Sequence, residues 1–153
     1  MSTRSGVAVE REDGTFSHIF CHWDGYPSHN GRILREHYTD RAKVEQLLNL
    51  GSISILAEEI GEKQDSAKFD TYPREHPEWC KSYHRDRGED FERDEFGSFA
   101  ELLNAFEDGW QCYMYVFCLD GKWRYFEKYP KGERSIPKSI GELAELTGEV
   151  CTD

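Results

Sequence analysis

A chain of 153 residues is long enough to bury the core of one domain, and its formal net charge of −11 repels a phosphate backbone. That balance excludes non-specific nucleic-acid binding and disfavours anionic membrane surfaces, and no apolar run is long enough to span a bilayer or to act as a leader segment behind Met1. Hydrophobic residues make up only 37% while aromatics reach 14%, so Trp, Tyr and Phe must supply much of the buried area.

Val7 and Val9 alternate with other residues, as do Phe16, His18 and Phe20, and Asp13-Gly14 lies between the two runs. An Asp-Gly pair so flanked predicts a β-hairpin with strands near 4–11 and 15–22. The second strand runs into Cys21-His22-Trp23-Asp24-Gly25-Tyr26-Pro27, where Gly25 and Pro27 force a turn. Ile33, Leu34, His37 and Tyr38 predict a helix near 30–38. Asp40 is placed to cap a second helix, 41–50, with a stripe of Val44, Leu47 and Leu48 and with Gly51 at its left-handed end. Residues 53–60 read as a further turn of helix. Residues 61–78 have weak periodicity, Pro73 and Pro77, and read as a long flexible loop. A strand near 79–85 is expected next, delivering Tyr83-His84-Arg85-Asp86-Arg87-Gly88-Glu89.

Ser98 and Glu101 form a capping box before Phe99, Leu102, Leu103 and Phe106, the spacing of an amphipathic helix. Residues 111–119 are apolar on both parities, as in a strand covered on both faces. Asp120-Gly121 turns that strand into a partner at 122–128, and Ser139 with Glu142 predicts a last helix before Leu143 and Leu146. The sum is a single α+β domain: about five strands in a mainly antiparallel sheet, with about four helices. No Gly-rich phosphate loop is present. Cys21, Cys80, Cys112, Cys118 and Cys151 are odd in number and form no C-x-x-C pair. They predict reduced packing thiols of a cytoplasmic protein, rather than a disulfide scaffold or a zinc ribbon.

Chemistry, if the chain has any, concentrates in two places. In residues 21–27 an extended backbone puts His22 and Asp24 on one face, and a carboxylate beside a His raises its basicity. The plainer reading has Trp23 and Tyr26 filling the core while Asp24-Gly25 makes the turn. In residues 83–89 a strand gives Arg85 and Arg87 one parity, a fork for phosphate or carboxylate, and gives His84 and Asp86 the other. The plainer reading there is a ladder of surface ion pairs. Ser2-Thr3-Arg4-Ser5 adds hydroxyls and a cation that suit an anion, or is simply a polar terminus. His22, Asp24, His84 and Asp86 match no zinc spacing, so no metal and no cofactor is expected. Cys21 as a nucleophile, paired with His22 or His84, would need a nearby cation to hold a thiolate. His18, His29, His37 and His76 show no partner in sequence and read as surface or helix-face residues.

Ser2-Thr3-Arg4-Ser5, the segment 21–27, His37-Tyr38, residues 44–51 and the segment 83–89 together resemble a family of small proteins encoded by bacteriophages, plasmids and their bacterial hosts. The resemblance covers roughly residues 1–90 and the hairpin near 111–128. It implies context rather than chemistry: an accessory protein of a phage or mobile element, acting against host defence in the host cytoplasm. The leading expectation is a non-enzymatic binder of an anionic small molecule such as a nucleotide, or of a host defence protein. Its site would be Arg4, His22, Trp23, Asp24, Tyr26, His84, Arg85, Asp86 and Arg87. One alternative is an acidic protein-binding inhibitor that imitates nucleic acid, with residues 86–95 as its face, Asp90, Glu92, Asp94 and Glu95 in particular. Another is a small hydrolase using His22, with Asp24 beside it, and His84 as acid and base. A homo-oligomer is compatible with each.

Overall fold

The first hairpin forms as its alternation demands: β1 (Ser5–Glu10) pairs antiparallel with β2 (Phe16–Cys21), and Gly14 takes a φ of 85° in the turn. The computed structural model describes residues 2–68, 73–128 and 144–151 of the chain. Within them, β2 is followed by a π-helical turn, Pro27–Gly31, and by α1 (Arg32–His37) and α2 (Arg41–Leu48). The Asp40 side chain accepts a hydrogen bond from Ala42 N at the start of α2, and Gly51 beyond its end has a φ of 72°. Then come β3 (Ile53–Ile55), β4 (Lys81–Ser82), α3 (Tyr83–Arg87) and β5 (Asp94–Phe96). The chain continues through α4 (Phe99–Asp108), β6 (Tyr113–Phe117), β7 (Trp123–Glu127) and β8 (Ala144–Glu145).

All eight strands join one sheet in the order β4-β3-β2-β1-β6-β7-β8, with β5 also paired to β2. The class is α+β, but the sheet is larger than the five expected strands and it is mixed. β1 runs parallel to β6, and β2 parallel to β3. Two antiparallel hairpins, β1–β2 and β6–β7, are thus joined along a parallel seam. Alternation and turn residues identify each hairpin; they carry no information about how two hairpins meet.

Helices cover both faces of the sheet. On one face Ile33, Leu34, Val44, Leu47 and Leu48 from α1 and α2 pack with Val7, Val9, Ile19, Tyr115 and Phe117. On the other, Leu102 and Phe106 of α4 pack with Ala8, Phe16, Met114, Val116 and Phe126. This is why β6 is apolar on both parities: Tyr115 and Phe117 serve one core, Met114 and Val116 the other. Ser98 Oγ accepts from Glu101 N, capping α4 as its spacing requires.

Three expectations are corrected. Residues 53–60 begin with a strand rather than a helical turn, because Ile53 and Ile55 alternate beside β2 and β4. The strand expected over 79–85 lasts only through Ser82, and residues 83–87 are helical. The capping box at Ser139 and Glu142 lies outside the described residues, and Ala144–Glu145, where that helix would continue, pairs with β7 as a strand. In the long connection, residues 61–68 and 73–78 are irregular apart from a 3-10 turn at Ser66–Lys68. Gln64 ties this connection to Asp86 through its backbone N, at 2.9 Å. No helix among the described residues is long and apolar enough to cross a membrane.

Candidate functional site

β2 ends at Cys21, yet the backbone stays paired for two more residues: His22 N donates to Ile53 O and Trp23 N to Ser54 O, each at 3.1 Å. The chain then reverses at Asp24, whose φ of 57° is left-handed, a conformation Asp tolerates better than most side chains. Gly25 N donates to Thr3 O at 2.8 Å, and the buried Tyr115 hydroxyl donates to Gly25 O at 2.6 Å. A Cβ on Gly25 would sit 2.7 Å from the Ser5 Cβ, so only glycine permits this contact with the N-terminal segment.

The turn separates the pair that parity places together. No hydrogen bond joins His22 to Asp24; the Asp24 carboxylate accepts instead from the Tyr26 hydroxyl at 3.4 Å. The His22 ring lies edge-on to Trp23, with centroids 4.7 Å apart, and 6.1 Å from Phe20. Partial burial and the charge of Arg4 lower the His22 pKa, which favours the neutral imidazole. Trp23 and Tyr26 are 42% and 37% exposed and do not fill the core. Cys21 is fully buried, and burial pushes its thiol up to about 12. It accepts a hydrogen bond from Asn30 Nδ2 at 3.3 Å, the setting of a packing thiol rather than a nucleophile.

The second motif is a single helical turn. Ser82 Oγ accepts from Arg85 N at 3.1 Å, and Gly88 closes the turn in the left-handed region at a φ of 72°. On a helix, residues two apart do not share a face, so the Arg85/Arg87 fork is not formed. Arg85 points inward: Nε and Nη2 reach Asp86 at 2.9 and 3.2 Å, while Nη1 donates to Ile60 O and Nη2 to Cys80 O, both at 2.8 Å. Asp86 is buried and also accepts from Ser82 N at 2.8 Å and Gln64 N at 2.9 Å. Arg87 points outward, with Nε 2.8 Å from Glu89 and its guanidinium 5.9 Å from the Tyr83 ring centroid. His84 is exposed and its Nδ1 donates to Glu89 O at 2.8 Å. His84 and Asp86 are therefore not a pair either.

The two motifs approach each other across one strand. Residues 22 and 23 bond to β3 from one side, while Ser82 pairs with Ile53 from the other. Two strand spacings amount to about 10 Å. Tyr83 lies between them in electrostatic terms: burial raises its phenol pKa, and interaction with the Ser54 side chain partly offsets that rise. The outer edge of β2 is meanwhile shared, with β5 against residues 16–18 and β3 against Cys21. A cleft of about 550 Å³ opens beside Phe20 where these neighbours part, lined by Phe20, Ser52, Tyr83, Gly88, Glu89, Asp90 and Glu92. Phe91, between the lining residues Asp90 and Glu92 in sequence, is 48% exposed and meets the His84 ring edge-on.

None of the nine residues expected to form one ligand site lines this cleft; their sequence neighbours Phe20, Tyr83, Gly88 and Glu89 do. Of the acidic face expected over residues 86–95, Asp86 is interior and Asp94 and Glu95 are engaged with His18 and Ser17. Glu89, Asp90 and Glu92 remain on the cleft wall, and Asp90 and Glu92 were legible as part of that acidic run. His18, read as partnerless, is buried, with Nδ1 3.0 Å from Asp94 and Nε2 beside Gln111. No signal within β2 pointed to that pairing, because its partners lie more than 70 residues away. Among the described residues no cluster of three or more His, Cys, Asp or Glu is placed to hold a metal ion. Comparison with protein-family models, with curated proteins and with solved structures finds no match for the chain.

Proposed function

We propose that the chain is an acidic binding protein that takes a basic segment of a partner protein into the cleft between Phe20 and Tyr83. One observation carries this reading: the cleft wall combines two aromatic rings with three carboxylates, Asp90, Glu92 and the Arg87-paired Glu89, and no cation among the described residues lines it. A lysine or arginine side chain suits such a wall, since the ring face attracts a cation and the carboxylate accepts its N–H groups. The net charge of −11 would steer a basic partner toward it. In the phage or plasmid setting that the motifs suggest, the partner is a host protein whose basic surface ordinarily holds nucleic acid.

A nucleotide held jointly by the two motifs has less support, because Arg85 already makes four contacts with Asp86 and backbone carbonyls, and Arg87 pairs with Glu89. A hydrolase built on His22 and His84 has less support still, since the His22 ring packs against aromatics and His84 bonds a backbone carbonyl.

The test is calorimetry with an arginine-rich peptide. The triple variant Glu89→Gln, Asp90→Asn, Glu92→Gln is expected to weaken binding about tenfold, the sum of three modest charge contacts. A control variant with the same charge change elsewhere, Glu12→Gln, Glu36→Gln, Asp108→Asn, should weaken it far less. Equal losses would mean that net charge alone attracts the peptide, and the cleft would be abandoned as the site.

A further inference from the structure

Near the β4 end of the sheet the local charge balance reverses that of the chain. A cavity of about 300 Å³ is lined by Lys63, Lys68, Arg74 and Lys81, with His76 and Trp79, against three carboxylates, Glu62, Asp65 and Glu75. In a chain with 19 Lys and Arg against 30 Asp and Glu, four cations facing three acids is a local inversion.

Arg74 is the unusual member. It is partly buried, and its Nη2 donates to the carbonyls of His76 and Trp79 rather than to a carboxylate. Its Nε is buried with no hydrogen-bond partner among the described residues. None of the ion pairs among those residues includes Arg74 or Lys63; Lys68 pairs with Glu75 at 3.3 Å. Glu58 and Glu78 act on Arg74 only through space, while burial works against its charge. A partly desolvated guanidinium with no contacting counter-ion among the described residues is costly, and an anion beside it in the cavity would lower that cost.

The size of the ligand follows from the aromatic wall. The His76 and Trp79 rings stack with centroids 3.8 Å apart and planes 13° apart. The indole also lies against Gly61, where a Cβ would fall 2.4 Å from its Cγ. A ring already engaged by His76 and Gly61 forms a rigid wall rather than a platform for a nucleobase, so the cavity favours a compact group.

We propose that this cavity is an oxyanion site for a phosphate monoester, with Arg74 as its central donor and Lys63 and Lys81 beside it. It goes beyond the basic-partner reading and stands or falls separately from it. The experiment titrates the whole chain with inorganic phosphate and with phosphoserine. Binding is followed by tryptophan fluorescence, since Trp79 lines the cavity, and by phosphorus NMR line width. The expected result is saturable binding that Lys63→Gln weakens about tenfold, the loss of one charge-assisted contact. Arg74→Gln is expected to abolish it. Lys63 is exposed, so its variant tests the site even if Arg74→Gln fails to fold. Absence of saturable binding with either probe overturns the proposal, and so does binding that Lys63→Gln leaves at the wild-type affinity.

Discussion

Residues 22–24 and 84–86 are spelled with the same outer letters, His-x-Asp, and the molecule treats them in opposite ways. In the first, the backbone stays extended to Trp23 and then reverses, so the Asp24 carboxylate accepts from the Tyr26 hydroxyl and not from His22. In the second, a turn of helix brings Asp86 into the interior, where it collects two backbone N–H groups and the Arg85 guanidinium. The residues outside each triplet decide the outcome. Gly25 packs so closely on Ser5 and Thr3 that the loop is pinned from below, whereas Ser82 and Gly88 cap a helix from both ends. Neither triplet is a His–Asp pair, and the surface between them is built by flanking side chains. Chemistry read from spacing alone therefore depends on a backbone conformation that the spacing does not determine.

The comparison is broken most directly at Asp86. Asp86→Ala leaves the Ser82 and Gln64 amides and a largely buried guanidinium without their acceptor. Removing one partner of a buried ion pair costs about 3–5 kcal/mol, so urea denaturation should show a loss of that size. A loss below about 1 kcal/mol, the range of an exposed ion pair, would mean that the motif is a surface ladder after all.

Tyr115→Phe probes the first segment through its anchor. The buried hydroxyl donates to Gly25 O at 2.6 Å, and nothing else about the ring changes in the variant. The expected destabilisation is about 1–2 kcal/mol, with faster amide exchange at residues 23–26 and unchanged protection in β6. Uniform loss of protection would show that the hydroxyl supports the core and not the loop.

Much of the fold was legible because its signals are local. Asp-Gly pairs marked both hairpins, Asp40 and Ser98 marked helix starts, and Gly51 marked a helix end. The parallel seam between β1 and β6 was not legible, since it joins segments about a hundred residues apart. β5 was hidden because Asp94 and Glu95 are strand-poor residues held in place by Ser17 and His18 of β2. The helix at residues 83–87 did leave a trace: Ser82 and Gly88 stand at cap spacing around it. That trace was outweighed by the apparent alternation of His, Arg and Asp. The site suffered from the same error, because the Arg fork and both His–Asp pairs presupposed extended backbone.

The smallest effect is expected at Asp24, and it is the sharpest test of the contrast. Asn accepts the left-handed conformation as readily as Asp does, and the hydrogen bond from Tyr26 is long and exposed. Asp24→Asn should therefore change stability by less than about 0.5 kcal/mol, while Asp24→Val, which resists a φ of 57°, should cost about 1–2 kcal/mol. Since Asp24 does not line the cleft, neither substitution should alter peptide affinity by more than about twofold, within the usual range for a distant surface change. The two readouts separate backbone from charge. If Asn costs as much as Val, the carboxylate itself is required, and Asp24 holds the loop through its charge. If both leave stability alone yet weaken the peptide, the loop belongs to the binding surface, and the cleft extends from Phe20 toward Trp23 and Tyr26.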